Sequence, residues 1–424
     1  MVLLPDMRLT RSLALALTVF AGTAEGQGTN GVNATAQQSK PYVVLVSFDG
    51  FRAEYLQRID LPNFERVARR GARALGLVPV FPSKTFPNHY SIVTGMYAEH
   101  HGIVGNSFWD PQRNAEFSLS DTNALRDASW YRGEPIWTTA EKQGVVSASY
   151  FWPASEALIG GVKPSITKAY DPRVPNDARV DSVLVWLALP DANRPHLITM
   201  YFSDVDHAGH TAGPLSPQVD TAAWNADAAL GRLVDGIGRL APQVRDRLYL
   251  VLVADHGMSE TSPRWYVALD TLIDLHGVRV ADAGANANLH VDGGIARARI
   301  LCDSVNRRMH HGRAYVRGEL PPRLHYNSDP RIGDVVVVMD DHFTIGRADR
   351  APRENGGTHG WDPAVAAMQA LFVASGPGIP PGKILPAFEN VEIYPYIAEV
   401  LGLVPALGID GHRGRLAALI RTAQ

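Results

Sequence analysis

Residues 42–50 read YVVLVSFDG, a short and largely β-branched apolar run that ends abruptly at Asp49. A continuous apolar run of this length is typical of a central parallel strand that is buried on both faces. The pattern of residues 60–71 then predicts a helix, with Asp60 as its cap and Gly71 as its stop. Together the two segments predict a βα unit.

The same strand pattern recurs along the chain. Three further apolar runs lie at residues 196–202, 248–254 and 369–374. Helical periodicity follows at residues 219–240 and 391–401. Strands that alternate with helices predict an α/β fold with a doubly wound, mostly parallel central sheet and helices on both faces. In such sheets ligands bind outside the carboxyl ends of the strands.

We expect one large domain rather than several. Residues 41–424 are predicted to form a single domain, and the small polar residues at 28–40 predict a flexible tether before it. Short alternating segments within 286–327 predict a small antiparallel insertion. The apolar run around Cys302, at residues 298–302, is interpreted as a buried strand.

The bulk composition excludes several classes of protein. The 424 residues are 46% hydrophobic and 20% charged, as in a globular domain. The 40 basic and 43 acidic residues give a formal net charge of -3, so no polycationic face for nucleic acid or a membrane is implied. A single cysteine cannot form an intrachain disulfide. We expect a monomer that binds no nucleic-acid polymer.

The first 27 residues have the pattern of a secretory signal peptide. Arg8 and Arg11 precede the apolar run at residues 12–22, and small residues follow it. The run is short for a membrane span, although a retained N-terminal anchor stays open as an alternative. We therefore expect a secreted or periplasmic protein that has no stable membrane association after cleavage.

Several acids and histidines follow the predicted strands. Asp206 and His210 are four residues apart with Gly209 allowing a tight turn between them, 255–256 is an Asp-His pair, and His359 follows a glycine-rich loop. Each has an ordinary explanation, since strand-end acids are often turn residues. Taken together they form a ligand set that suits Zn²⁺. Two metals about 4 Å apart could activate an attacking oxygen and hold a leaving group.

Thr85 lies in the stretch SKTFPNHY at residues 83–90, where two interpretations compete. A threonine just before a proline-containing first turn is a good helix N-cap. A threonine hydroxyl is also a possible nucleophile, but only where a base or a metal activates it. The acids and histidines elsewhere make the second interpretation worth pursuing.

At this point the motifs resemble those of the nucleotide pyrophosphatase/phosphodiesterase family of the alkaline phosphatase superfamily. The matching segments are residues 43–52, 82–95, 101–106, 206–210, 255–258, 358–360 and 368–403. They follow the family's order and cover nearly the whole predicted mature chain. The resemblance implies an alkaline-phosphatase-like fold and the compact form of a bacterial member.

The resemblance also implies a role for individual residues. The implied ligands of one zinc ion are Asp49, Thr85, Asp255 and His256. The implied ligands of a second zinc ion are Asp206, His210 and His359. Thr85 would be the nucleophile, and the Asn106 amide would contact a phosphate oxygen. The residues matching aromatics that flank the nucleoside are Phe86, Tyr201 and Tyr170.

The implied activity is that of a two-zinc phosphodiesterase that releases nucleoside 5′-monophosphate through a covalent threonine intermediate. A phosphomonoesterase or a choline-lipid phosphodiesterase of the same superfamily is the alternative. The sequence contains no third-metal signature and no arginine near Thr85 that could clamp a phosphate, and both absences argue against the monoesterase. A sulfatase would carry Cys or Ser at that position, and a non-catalytic binding protein would not need every ligand position filled.

Overall fold

The computed structural model describes residues 28–419, so the predicted signal peptide at 1–27 lies outside the described residues. The strands are β1 Tyr42–Phe48, β2 Ala72–Ala74, β3 Leu77–Val78, β4 Ser107–Asp110, β5 Ala115–Ser118, β6 Ser147–Tyr150, β7 Ile166–Lys168, β8 Leu197–Phe202, β9 Leu248–Val253, β10 Ser259–Thr261, β11 Tyr266–Ala268, β12 Val278–Asp282, β13 Asn286–Val291, β14 Gly312–Val316, β15 Val335–Met339, β16 Thr344–Gly346, β17 Gly356–Thr358, β18 Phe372–Ser375, β19 Lys383–Leu385 and β20 Phe388–Glu389. The α-helices are α1 Tyr55–Arg58, α2 Pro62–Arg70, α3 Thr85–Thr94, α4 Ala98–His101, α5 Thr122–Arg126, α6 Ile136–Lys142, α7 Asn176–Leu187, α8 Asp204–Ala212, α9 Pro217–Gly238, α10 Pro242–Arg245, α11 Leu269–Leu272, α12 Gly294–Arg308 and α13 Ile393–Val400.

The centre of the molecule is an eight-stranded mixed sheet in the order β19-β2-β18-β9-β1-β8-β6-β7. The run from β9 to β7 is parallel, which confirms the predicted α/β class. β18, the strand predicted at residues 369–374, is antiparallel to both β9 and β2. Its carboxyl end therefore points away from the edge where the parallel strands end.

The register of the parallel strands places their carboxyl ends side by side. β1 is buried along its whole length between β8 and β9. Phe48 pairs with Phe202 on β8, and Ser47 pairs with Val253 on β9. The residues that follow these strands therefore meet at one edge, which positions Asp49 beside the chain that follows β9.

The first helix after β1 of regular length is α2, and its capping differs from the prediction. Its N-cap is Leu61, and no side chain at that position caps the helix, so Asp60 does not have the predicted role. Asp227, on α9, instead accepts hydrogen bonds from the backbone N–H groups of Asn63 and Phe64, each at 2.9 Å. A carboxylate from another helix thus satisfies the free donors of α2.

The insertion is a four-stranded antiparallel sheet in the order β12-β13-β15-β14, covered by α12. It extends beyond the predicted range of 286–327 in both directions. The interpretation of the Cys302 segment as a buried strand is wrong, because this segment lies inside α12. The buried positions there are Ala298, Cys302 and Val305, a spacing that follows a helical face.

The segment at 28–40 is packed onto the domain, so its prediction as a flexible tether is wrong. Asn33 is 2% exposed, donates to the Arg194 carbonyl at 2.7 Å and accepts from the Val146 N–H at 2.7 Å. The Thr29 N–H donates to the buried Glu141 carboxylate at 3.2 Å. The polar groups of this segment are therefore hydrogen-bonded to protein atoms. Among the described residues, no helix is long and apolar enough to cross a membrane.

Candidate active site

Three carboxylates converge at the carboxyl edge of the sheet. Asp49 follows β1, Asp255 follows β9, and Asp206 lies in the first turn of α8. In each, one buried oxygen has no hydrogen-bond partner among the described residues. Burial, followed by the charge of the neighbouring carboxylates, raises the pKa of both Asp49 and Asp255 well above the ordinary value. Such a group of acids is stable in its charged form only beside a cation.

Three histidines at the same edge are oriented by backbone carbonyls. The Nδ1 atoms of His210, His256 and His359 lie 2.9, 2.8 and 2.9 Å from the carbonyl oxygens of Gly357, Gly257 and Ser83, respectively. A carbonyl only accepts, so each Nδ1 carries the proton and donates it, which leaves Nε2 as a free acceptor. Metal-binding histidines are held in this way.

The free acceptor atoms of these side chains face one another. His256 Nε2 lies 2.9 Å from Asp255 Oδ2 and 3.5 Å from Asp49 Oδ1. His210 Nε2 and His359 Nε2 lie 3.4 and 3.9 Å from Asp206 Oδ1. Acceptors this close repel unless a cation lies between them.

Two sets of these acceptors are compact enough to hold metal ions. In each set, the candidate ligand atoms lie within 4.8 Å of one another. One set contains Asp206, His210 and His359, and the other contains Asp49, Asp206 and His256. Asp206 belongs to both sets, whereas Asp255, which the resemblance implies as a ligand beside Asp49, is in neither and has its Oδ2 2.9 Å from His256 Nε2. Asp, His and no cysteine is a donor set that suits a catalytic rather than a structural zinc site.

Asp206 and His210 are joined by a helix rather than by the predicted tight turn. Both lie in α8, where the four-residue spacing puts them on one face. Gly209 is buried instead for packing, since a Cβ atom there would lie 3.0 Å from the Met258 side chain. This close approach brings α8 against the antiparallel pair of strands β10 and β17, and β17 leads to His359.

Thr85 is the first residue of α3, and its hydroxyl does not cap the helix. The N-cap position is Lys84, without a side-chain cap hydrogen bond, so the N-cap interpretation of Thr85 is wrong. Thr85 Oγ1 lies instead 3.2 Å from His256 Nε2. Lys84 is buried and forms an ion pair with Asp282 of the insertion. The nucleophile candidate therefore faces the group of acceptors.

His89 links the start of α3 to β1 by two hydrogen bonds. Its Nδ1 donates to the Thr85 carbonyl at 2.9 Å, and its Nε2 lies 2.8 Å from Ser47 Oγ, which can donate to it. Burial lowers the pKa of His89 to about 3, so its ring is neutral. Its ring is close to Asp49 and Asp255, but both nitrogens are engaged. These two contacts fix the position of the first turn of α3.

Asn106 is oriented so that only its amide nitrogen is free. Its Oδ1 accepts a hydrogen bond from the Phe86 N–H at 2.8 Å. Its Nδ2 has no protein acceptor among the described residues. Because the Phe86 N–H is engaged and Pro87 has none, the start of α3 offers fewer backbone donors than a typical helix N-terminus.

A cavity of about 170 Å³ opens beside Thr85, and all three predicted aromatic residues line it. Phe86 and Tyr201 are each 8% exposed, whereas Tyr170 is half exposed and packs edge-on against Tyr201 at 6.2 Å. The Tyr201 hydroxyl also donates to Asp49 Oδ2 at 2.6 Å. Tyr201 thus connects the cavity wall to the acidic edge.

The remaining wall of this cavity was missed by the sequence analysis. It is formed by Leu119, Leu125 and the loop 151–156, which follows β6. Phe151 and Ala154 have φ angles of +71° and +74°, which are unfavourable for residues other than glycine. The loop could have been placed at the site from the sequence, because it follows β6, which ends at the same sheet edge as β8. The sequence analysis did not identify β6 as a strand.

The family model "Type I phosphodiesterase / nucleotide pyrophosphatase" matches residues 43–362. The chain belongs to this family. It is 38% identical over 396 residues to human ectonucleotide pyrophosphatase/phosphodiesterase family member 1, covering 90% of this chain and 42% of that protein. It is 37% identical over 393 residues to the venom phosphodiesterase of Naja atra, covering 89% and 46%. The chain therefore spans less than half the length of these curated relatives.

Solved structures of a related protein have the same fold over their whole length. Murine ectonucleotide pyrophosphatase/phosphodiesterase 5 is 29% identical, with a TM-score of 0.83 and coverage of 89% of this chain and 99% of that one. An inactive threonine-to-alanine variant of it in complex with AMP gives a TM-score of 0.84 at 29% identity, with coverage of 90% and 100%. The family and fold expected from the sequence are confirmed.

Proposed function

We propose that the chain is a two-zinc phosphodiesterase that hydrolyses nucleotidyl phosphodiester or pyrophosphate bonds and releases a nucleoside 5′-monophosphate. The observation that carries this proposal is the Thr85 hydroxyl, 3.2 Å from His256 Nε2 at the edge of a buried group of acceptors. A hydroxyl becomes a nucleophile where its proton can be removed. The Tyr201 hydroxyl also lies at this edge, but it already donates to Asp49 Oδ2 at 2.6 Å.

The related proteins support the same assignment. Their names are those of nucleotide pyrophosphatases and phosphodiesterases. The murine structure with AMP is described as inactive after one threonine is replaced by alanine. We take Thr85 to be the corresponding threonine and the cavity beside it to be the place of the nucleoside.

The residues at the sheet edge would hold the two ions as follows. The first ion would have Asp49, Thr85, Asp255 and His256 as ligands, and the second Asp206, His210 and His359. The unpartnered carboxylate oxygens and the free Nε2 atoms support cation binding at this edge. When bound, such ions lower the pKa of a coordinated hydroxyl and withdraw charge from phosphoryl oxygens.

The chain's own residues then carry the reaction in two displacements. Thr85 Oγ forms a bond to phosphorus as its proton passes to solvent, and the bond to the leaving oxygen breaks with its electron pair. Water then forms a bond to the same phosphorus, the bond between phosphorus and Oγ breaks with its electron pair, and a proton from that water restores the Thr85 hydroxyl as the monophosphate is released. The Asn106 Nδ2 group donates to a non-bridging oxygen in both displacements, because its Oδ1 is already held by Phe86.

The cavity beside Thr85 favours a nucleoside over a choline headgroup. Its aromatic walls could stack on a base or enclose a quaternary ammonium. A choline site also benefits from a free carboxylate, and the one that lines this cavity is Glu156. The Arg126 guanidinium binds Glu156 Oε2 at 2.8 and 3.0 Å, so that charge is already neutralised.

We also propose that the protein is exported, with the signal peptide predicted at residues 1–27 removed. The relatives named above include an ectoenzyme and a venom enzyme, which supports export. N-terminal sequencing of the protein recovered from the culture medium or the periplasm tests this. A mature chain that still begins at Met1 would contradict it.

The activity is tested by initial rates on three p-nitrophenyl compounds. These are the ester of thymidine 5′-monophosphate, p-nitrophenyl phosphate and p-nitrophenylphosphorylcholine, with metal content measured on the same sample. A large preference for the nucleotidyl ester, with about two zinc ions per chain, is expected. A preference for either of the other compounds would overturn the substrate assignment but leave the metal assignment standing.

A further inference from the structure

Arg179 is a buried arginine that lies behind the wall of the aromatic cavity. It is the fourth residue of α7, is 3% exposed and does not line the cavity itself. Two other arginines among the described residues are buried, Arg194 and Arg331, and each forms an ion pair with a carboxylate. Arg179 forms no ion pair within the described part of the chain; its hydrogen bonds go to backbone carbonyls. An unpaired buried cation is costly, and a position near a helix N-terminus adds to the cost.

The Arg179 guanidinium bridges two of the segments that form the cavity wall. Its Nη1 donates to the Tyr201 carbonyl at 3.1 Å, and its Nε donates to the Val174 carbonyl at 3.0 Å. Its central carbon lies 5.2 Å from the centre of the Phe151 ring, which is the distance of a cation–π contact. Tyr201 and Phe151 both line the cavity. One side chain therefore joins β8 to the loop 151–156.

This loop leaves the sheet at the point where Arg179 contacts it. The ladder between β6 and β8 ends at the pair of Tyr150 and Met200, so Tyr201 lies beyond the ladder. Phe151 then has a φ angle of +71°, which persists only where the surrounding structure holds it. The Phe151 ring packs edge-on against Tyr170 at 5.4 Å, and Tyr170 packs against Tyr201 at 6.2 Å. The relative positions of these three rings therefore depend on the contact between Phe151 and β8.

We propose that Arg179 is a positioning residue for the nucleoside and that it sets the preference of the protein for nucleotidyl esters over simple alkyl esters. The inference rests on the proposed function, in which the nucleoside occupies the cavity beside Thr85. None of the hydrogen bonds or ring contacts of Arg179 involves Thr85 or the side chain of a proposed metal ligand. Its effect is therefore confined to the part of the substrate that lies between the aromatic walls, where a base stacks only if the rings are held in place.

The test compares two esters that share one leaving group. They are the p-nitrophenyl ester of thymidine 5′-monophosphate and methyl p-nitrophenyl phosphate, in which a methyl group replaces the nucleoside. Arg179→Met keeps an unbranched apolar stem but removes the charge and both donors. It is expected to lower kcat/KM about tenfold for the nucleotidyl ester and less than about twofold for the methyl ester, because the lost contacts hold only the nucleoside cavity.

Arg194 supplies the matched control, since it is also buried and precedes the other end of β8. It donates to the Tyr42 hydroxyl at 2.9 Å and lies 5.6 Å from the centre of that ring. Arg194→Met should lower the melting temperature but leave the ratio of the two kcat/KM values within about twofold of the wild-type ratio. Equal losses on both esters in Arg179→Met, no loss on either, or the same change of ratio in Arg194→Met would overturn the proposal.

A second variant tests whether Arg179 acts through the Phe151 ring. Phe151→Leu removes the aromatic partner, and the double variant with Arg179→Met should lose less than about twofold beyond the larger single loss, because the two side chains act as one unit. Additive losses would overturn the role of Arg179 in positioning that ring. If Arg179→Met does not fold, Arg179→Lys takes its place, since it keeps the charge but not the planar fork between two carbonyls. A folded Arg179→Lys with the wild-type ratio would also overturn the proposal.

Failure of the underlying function would look different from failure of the positioning role. If the wild-type protein did not prefer the nucleotidyl ester, or if Thr85→Ala kept its activity, the proposed function itself would fall. A wild-type preference that survives in Arg179→Met would reject only the role of Arg179. Zinc content and melting temperature are measured on each variant, so that a change of preference is not confused with loss of metal or of the fold.

Discussion

The two halves of the proposed metal site differ in how they are built. In the closed half, the side chains of Asp49, Asp255 and His256 are at most 2% exposed and follow buried parallel strands. In the open half, His210 is 40% and Asp206 18% exposed and both lie on a surface helix, whereas the third residue, His359, is only 7% exposed. The closed half is therefore fixed by the core of the protein, whereas the open half can exchange ligands and solvent more freely.

The largest effect is expected at Thr85, where the two halves act together. Thr85→Ala should lower kcat by at least about 10³-fold, because it removes the nucleophile but no packing of consequence. Thr85→Ser keeps a hydroxyl and should retain measurable turnover. The check is kcat with the nucleotidyl aryl ester, together with mass spectrometry of the acid-quenched protein for a covalent nucleotidyl adduct. Near wild-type turnover by Thr85→Ala would end the covalent mechanism.

Asn106 lies outside both halves and should matter less than Thr85. Asn106→Ala removes one donor to the phosphoryl oxygens, which costs about 3 kcal/mol of transition-state stabilisation, or roughly a 10²-fold lower kcat. Bound metal should be unchanged, as measured on the same preparation. Asn106→Asp is the matched variant, since it keeps the acceptor for the Phe86 N–H but loses the amide donor. Loss of metal in either variant would place Asn106 inside the metal site.

The two halves are compared directly by removing one histidine from each. His210→Ala should weaken one metal by about 10- to 100-fold and leave the melting temperature of the metal-free protein unchanged, because the side chain is exposed. His256→Ala should weaken metal binding and also destabilise the metal-free protein by roughly 1 to 3 kcal/mol, since it empties a buried site. If the two metal-free variants had the same change in melting temperature, the proposed difference between the closed and open halves would be wrong.

The closed half is also the part that the sequence predicts best. A strand such as β1 is encoded by an unbroken apolar run, and the residue where the run stops must lie at the sheet edge. Asp49 and Asp255 could be placed in this way from the pattern alone. The spacing from Asp206 to His210 fits a turn or a helix equally well, so the position of the open half required the structure.

Other features depend on partners that are distant in the sequence. The tether prediction for residues 28–40 was wrong because Glu141 and Arg194 lie more than 100 residues away from their partners in that segment. Cys302 was assigned to a strand because five apolar or basic residues do not distinguish a strand from a helix. The cavity wall at 151–156 depends on positive φ angles that non-glycine residues do not signal.

The closed half should make the metal-free protein sensitive to pH. The pKa values of Asp49 and Asp255 are raised in the folded state, so the folded protein holds these protons more tightly than the unfolded one. Their contribution favours folding at low pH and is lost as the pH rises above the unfolded value of about 3.8. Added zinc should reverse this slope, because zinc binds the deprotonated carboxylates.

This pH effect is isolated by a difference between two proteins. The melting temperature of the metal-free wild type minus that of metal-free Asp255→Asn should fall as the pH rises, because the variant lacks one of the repelling charges. A flat or rising difference would mean that these carboxylates do not repel one another in the folded protein. The same difference measured for Asp177→Asn, on the exposed face of α7, is the matched control for the loss of one carboxylate outside the site.

The smallest effect is expected at Tyr201, which joins the closed half to the nucleoside cavity. Tyr201→Phe keeps the ring but removes the hydroxyl that donates to Asp49 Oδ2 at 2.6 Å. Metal affinity should fall about tenfold, since a partner that orients a ligand is lost, and KM for the nucleotidyl ester should stay within about twofold. Both are measured with zinc-buffered solutions and initial rates.

Tyr201→Leu then separates the two roles of this side chain, because it removes the hydroxyl and the ring together. It should weaken metal binding as much as Tyr201→Phe does and should also raise KM, since stacking on a base contributes roughly 1 to 3 kcal/mol. If Tyr201→Phe raised KM and left metal affinity intact, the hydroxyl would contact the substrate rather than orient Asp49. In that case the closed half would be held by its strands alone.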